Sequence, residues 1–110
     1  MPEWDISYSG FLEGKTGFLG SWNLYWVVLD KNSLIIFADE TEAVAKGKIN
    51  INSSCVVEAE AHQSGRMFVF SLRNETIPDS KLIFSAFDTL SIEGWMIALI
   101  QVCYIKFRIP

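Results

Sequence analysis

The feature that most constrains this chain is a change of hydrophobic period near residue 88. Before it, short apolar stretches follow one another with a turn signal every few residues. Residues 5–13 alternate, with Ile6, Tyr8, Gly10 and Leu12 in one phase. Residues 24–29 are a dense apolar run, the turn Asp30-Lys31-Asn32-Ser33 follows, and residues 34–38 are apolar again. Two such runs across a short polar turn read as a hairpin. Residues 39–45 are polar and loop-like. Residues 47–52 alternate, with Ile49 and Ile51 in phase, and residues 55–61 set Val57, Ala59 and Ala61 against Glu58 and Glu60. After Gln63-Ser64-Gly65 comes 67–72, with Phe68 and Phe70 in phase, then a loop holding Pro78, then 81–86. Period two places alternate side chains on opposite faces of a strand. The pattern predicts seven short antiparallel strands in a sandwich or small barrel, making the fold mainly β.

From Thr89 the apolar residues fall at Ile92, Trp95, Met96, Leu99, Ile100, Val102 and Cys103. That is helical spacing. Asp88 or Thr89 supplies an N-cap side chain. Gly94 weakens such a helix by about 1 kcal/mol relative to alanine. The spacing predicts one helix over 89–104, laid on the strands to close an end of the barrel, with Trp95 as the largest plug. The whole of 1–110 reads as one domain, strands about 5–86 and then the helix, and as part of a longer protein.

With 50% hydrophobic and 20% charged residues, such a domain buries a core without disulfide or metal. Cys55 and Cys103 are expected as reduced buried thiols. The net charge of -4 argues against nucleic acid, whose phosphates call for many Lys and Arg. The start "MPEWDISYSG" lacks a basic n-region and a long apolar run, so it is no signal peptide. The longest apolar stretch, 95–105, is about half the ~20 residues of a membrane span. The expected location is cytoplasmic.

Gly14-Lys15-Thr16 imitates the end of a phosphate-binding loop. The pattern needs a glycine five residues before Gly14, where Ser9 stands, and a helix after it, where a Trp- and Val-rich strand stands. It therefore predicts no nucleotide site. His62 is a lone histidine beside a turn, with no second histidine or reactive cysteine to complete a nucleophilic set. Glu58 and Glu60 are expected to face solvent. No metal cluster and no cofactor site is expected, and no catalysis.

The hairpin of residues 9–29 is more informative. Trp22 and Trp26 share one strand face and Asn23 and Tyr25 the other, and one or both tryptophans are expected in the core. The glycine-rich loop 14–21 carries Lys15, Phe18 and Leu19. Phe18 and Leu19 either fold back on the barrel rim or point out toward a membrane or partner.

In order, "SGFLEG", "WNLYWVVLDKNSLIIF", "GKINI", "MFVFSL", "KLIFSA" and "DTLSIEGWMIALIQ" resemble the strands and C-terminal helix of a pleckstrin-homology domain. The helix carries that family's characteristic tryptophan as Trp95. The resemblance implies two nearly orthogonal antiparallel sheets capped by the helix. It also implies phosphoinositide binding at the open end of the barrel, where a strand-one lysine and a Lys-x-Arg on strand two clamp ring phosphates. Here those positions match Gly14, Asn23 and Tyr25, and the motif is missing. At roughly 1.5–3 kcal/mol per charge-assisted contact, losing two weakens headgroup binding by at least ~100-fold. Lys15, with Lys46 and Lys48 from the third-loop region, remains as a modest basic rim. Lys31 and Arg66 are expected at the other end.

Two functions compete. One is an adaptor or scaffolding module that binds a protein partner. The other is recruitment to the periphery of a membrane by phosphoinositide or anionic lipid, through Lys15 and an apolar tip of Phe18 and Leu19.

Overall fold

The computed structural model describes residues 7–15, 21–52, 54–60, 65–78 and 80–102. They form seven strands and one helix: β1 (Ser7–Lys15), β2 (Trp22–Asp30), β3 (Ser33–Phe37), β4 (Ala45–Asn50), β5 (Cys55–Ala59), β6 (Phe68–Asn74), β7 (Leu82–Ala86) and α1 (Thr89–Val102). Each predicted strand has its counterpart. β2 begins two residues before the apolar run, because Trp22 and Asn23 pair with Lys15 and Gly14 across the first hairpin. Predicted features at Ile6, Phe18, Leu19, Ala61, His62, Cys103 and Tyr104 lie outside the described residues.

All pairings are antiparallel, and the strands form one sheet in the order β4-β3-β2-β1-β7-β6-β5. β1 joins its two halves. Residues 7–12 pair only with β2, whereas Glu13, Gly14 and Lys15 also pair with Ser85, Phe84 and Ile83 of β7. The two sheets implied by the resemblance are thus two halves of one ladder. β2 and β3 meet at a two-residue turn, Lys31–Asn32, with Lys31 at φ 57°.

The alternation explains the core. Leu12, Val27, Leu29, Leu34 and Ile36 from one half face Cys55, Val57, Phe70, Leu72 and Phe84 from the other. Helix α1 lies on β1, β5, β6 and β7 and inserts Trp95, Ala98 and Leu99 into the core. Trp95 is the largest fully buried side chain. Its ring meets Tyr8 edge-on at 4.8 Å between centroids, a packing worth about 0.5–1.5 kcal/mol beyond burial. Asp88 caps the helix, its Oδ1 accepting from the Ser91 amide at 2.8 Å. Gly94 has a packing reason, since a methyl group there would overlap the Tyr8 hydroxyl.

The two hairpin tryptophans correct one expectation. Trp22 and Trp26 share a face with Phe11, the outer face, and all three are half-buried. Phe11 and Trp26 stack edge-on at 4.9 Å, and Trp26 Nε1 donates to Glu42 at 3.1 Å. The residues that turn inward are Tyr25, Val27 and Leu29. Sequence alternation placed the tryptophans together but did not say which face is inside. The inner-facing neighbours Leu12 and Gly14 decide it.

Candidate functional site

The β1–β2 hairpin presents two unlike faces at its loop end. On the inner face, Gly14 pairs with Asn23, and Leu12 with Tyr25. Gly14 is buried. A β-carbon built on it would stand 3.1 Å from Tyr25 Cδ2 and 3.5 Å from Phe84 Cδ1. The Tyr25 ring therefore occupies the space into which a longer side chain at position 14 would project. Asn23 is exposed. The three motif positions do converge, but the surface they make is an aromatic ring on a glycine with an amide beside it.

The outer face carries the charge. Lys15 pairs with Trp22, and its Nζ lies 6.0 Å from the centre of that ring. Arg66 comes in from the segment before β6. Its Cζ sits 5.2 Å from the same ring, and it donates to Glu13 through Nε at 3.2 Å and Nη2 at 2.9 Å. Arg66 thus belongs with the hairpin, not at the far end where the sequence reading put it. No local pattern signals this: Arg66 and Glu13 are 53 residues apart, and only the β6-β7-β1 order brings them together. Two cations flank Trp22, a geometry worth about 0.5–1 kcal/mol per contact at an exposed site. The bidentate Glu13 neutralises Arg66, which leaves Lys15 as the excess charge.

Lys46 and Lys48 do not join this cluster. Lys48 pairs with Ile35, and Ile35 with Val28, while Lys15 is level with Trp22. Six residues of β2 separate these levels, about 20 Å of strand. Lys46 lies beside the bulge between Ile36 and Phe37, and both lysines are exposed. Lys48 instead borders a cleft of about 610 Å³ between the end of β4 and the β6–β7 connection, where Asn50, Asn74, Thr76 and Ile77 also line the wall. Most of its polar groups are already engaged. Asn74 Oδ1 accepts from the Thr76 amide and hydroxyl, and Ser80 Oγ bonds the Asn74 backbone.

The β3–β4 connection is acidic. Asp39 accepts from the Thr41 hydroxyl and from its amide at 3.0 Å, and these bonds hold its carboxyl below the ordinary value. Glu42 sits at φ 61° and reaches Trp26. Glu58 is exposed and ion-paired with Arg73, which raises the arginine's pKa. Glu60 is half-buried, bonded to Ser71 at 2.9 Å and near Lys81 at 3.6 Å.

Comparison with known proteins decides the family. The PH domain model matches residues 6–104. The chain belongs to the PH domain family. Solved PH domains repeat the fold. The solution structure of the human KIAA0053 PH domain superposes with a TM-score of 0.75 at 16% identity, over 94% of this chain and 93% of that one. The ORP8 PH domain gives 0.73 at 21%, over 87% and 92%. The Slm1 PH domain, solved in complex with phosphoserine, gives 0.66 at 28%, over 86% and 91%. Among curated proteins, a zebrafish (Danio rerio) protein described as "Differentially expressed in FDCP 6 homolog" is 27% identical over 95 residues. Those residues are 86% of this chain and 15% of that protein, so the chain spans about a seventh of the relative's length.

PH domains are modules for protein or lipid interaction and are generally non-catalytic. Among the described residues of this PH domain, no helix is long and apolar enough to cross a membrane.

Proposed function

We propose that this PH domain is a non-catalytic adaptor module that docks a protein partner and has weak or no specificity for phosphoinositides. The packing of Tyr25 on Gly14 supports this reading. Where the family's phosphate clamp would place cations, this chain has a glycine, an amide and a phenol ring. A phosphate brought there meets no charge and must shed water without a charge-assisted bond in return.

A second reading has its own observation. Lys15 and Arg66 flank Trp22 on the outer face, and the Slm1 PH domain, 28% identical, was solved with phosphoserine. Recruitment to anionic phosphate at a membrane would then be weak, outer-faced and dominated by Lys15. Phe18 and Leu19, proposed membrane or partner contacts, belong to this reading, and Lys46 and Lys48 would add only long-range attraction. Either reading suits a cytoplasmic domain, in the second case peripheral at a membrane.

Sedimentation with polyphosphoinositide vesicles at two salt concentrations separates them. The adaptor reading expects little binding at physiological salt. Binding at low salt that Lys15→Glu abolishes supports the second reading, because exposed charges weaken as the Debye length shrinks.

A further inference from the structure

The cleft of about 610 Å³ between the end of β4 and the β6–β7 connection has an apolar floor under a rim of hydrogen-bond donors. Cys55 and Leu72 line it and are each 1% exposed. Ile77 lines it too, yet is 54% exposed, an isoleucine left open to water. None of the clamp positions Gly14, Asn23 and Tyr25 contributes to its walls, so it is a separate place from the family's phosphate clamp.

The side-chain amides at the rim have engaged their acceptors and kept their donors. Asn52 Oδ1 accepts from the Ser54 amide at 2.8 Å. Asn74 Oδ1 accepts from the Thr76 amide at 2.9 Å and from its hydroxyl at 2.6 Å. An amide whose oxygen is turned to a backbone N–H presents its NH₂ group the other way, and neither NH₂ group has a partner among the described residues. Lys48 adds an ammonium group that is exposed and has no ion-pair partner among the described residues. The other cation of the cleft, Arg73, is taken up by Glu58 and Glu75. The rim therefore offers one free positive charge among neutral donors.

We propose that this cleft binds an aliphatic carboxylate, a fatty acid of medium chain length. The carboxylate would accept from Lys48 Nζ and from the amide groups of Asn52 and Asn74, and the chain would cover Leu72, Cys55 and Ile77. Hydrogen bonds to an ionised acceptor are the strong ones, and the volume lies within the range of small-molecule sites, which join an apolar lining to a few placed polar groups. A phosphate monoester carries about -1.5 to -2 charges at pH 7, more than the one free cation balances. The inference goes beyond the adaptor reading and does not depend on it.

The test titrates the ¹⁵N-labelled chain with decanoate, decanol and decyl phosphate, each below its micelle concentration. Decanoate should shift the amide resonances of Lys48, Asn52, Asn74 and Ile77. Decanol should bind at least ~10-fold more weakly, for want of a charge-assisted bond, and decyl phosphate no more tightly than decanoate. Lys48→Met keeps an apolar stem and should weaken decanoate by at least ~10-fold while leaving decanol unchanged. Ile77→Asn should weaken both. Both substitutions fall at exposed positions, so the spectrum should keep its dispersion. Equal binding of decanol and decanoate would overturn the proposal, as would tighter binding of decyl phosphate, shifts centred on the β1–β2 hairpin, or no shift at millimolar decanoate. None of these outcomes touches the adaptor reading, which fails instead by strong, salt-resistant vesicle binding.

Discussion

Tyr25 lies against Gly14 at a distance that leaves no room for a β-carbon without a shift of the ring. The contact puts a glycine under a ring at two of the positions where the family's motif places cations. It follows that single restorations fail. Gly14→Lys should lower stability, because the Tyr25 ring must give way. Asn23→Lys with Tyr25→Arg should keep the fold and raise binding to polyphosphoinositide vesicles by at least ~10-fold at low salt, about one added charge-assisted contact. Circular dichroism checks the first variant and sedimentation the second.

Glu13 restrains Arg66. Glu13→Gln removes the bidentate partner and leaves two uncompensated cations beside Trp22. Binding to anionic vesicles at low salt is expected to rise several-fold, and to return to the starting value in Glu13→Gln with Arg66→Gln. The stability change should be small, under about 1 kcal/mol, because the pair is partly exposed.

Gly94 and Tyr8 form a second fitted pair. Alanine favours a helix interior over glycine by about 1 kcal/mol, yet Gly94→Ala should lower the melting temperature, because its methyl group meets the Tyr8 hydroxyl. Tyr8→Phe removes that oxygen and should recover part of the loss. A double-mutant cycle in thermal melts reads the coupling.

Trp95→Ala empties the largest buried site and should cost about 3–5 kcal/mol, a large share of a small domain's stability. Denaturant unfolding measures it.

Asp39 provides a check on pH. Its carboxyl is held below the ordinary aspartate value, first by the Thr41 hydroxyl and then by the Thr41 amide. A depressed folded value means that the turn is stabilised above the unfolded pKa and loses that contribution as pH falls through the folded one. Carbon-detected titration should place Asp39 below the ordinary aspartate value, and Thr41→Val should move it upward.

The strands and the helix were legible because each is a local pattern. Glu58 and Glu60 alternate with Val57 and Ala59 on one strand, and Ile92, Trp95, Met96 and Leu99 mark one helical face. Trp95 could be named as the plug because a single helix after seven strands has only the barrel to cover. What was not legible depends on distant pairing. Arg66 joins Glu13 through the β6-β7-β1 order, and no spacing in the chain encodes that. The in-or-out choice for Trp22 and Trp26 was likewise set by β1, whose Leu12 and Gly14 are buried. The family resemblance suggested one basic rim of Lys15, Lys46 and Lys48, and the register of β2, β3 and β4 sets the latter two well away from Lys15.

The central claim is that the inner face of the β1–β2 hairpin has no phosphate clamp. Its most direct measurement is sedimentation of the unaltered domain with phosphatidylinositol bisphosphate vesicles, beside Lys15→Glu, at low and physiological salt. Little pelleting is expected at low salt, with or without Lys15→Glu, and almost none at physiological salt. Tight pelleting that survives physiological salt and the Lys15→Glu change would contradict it.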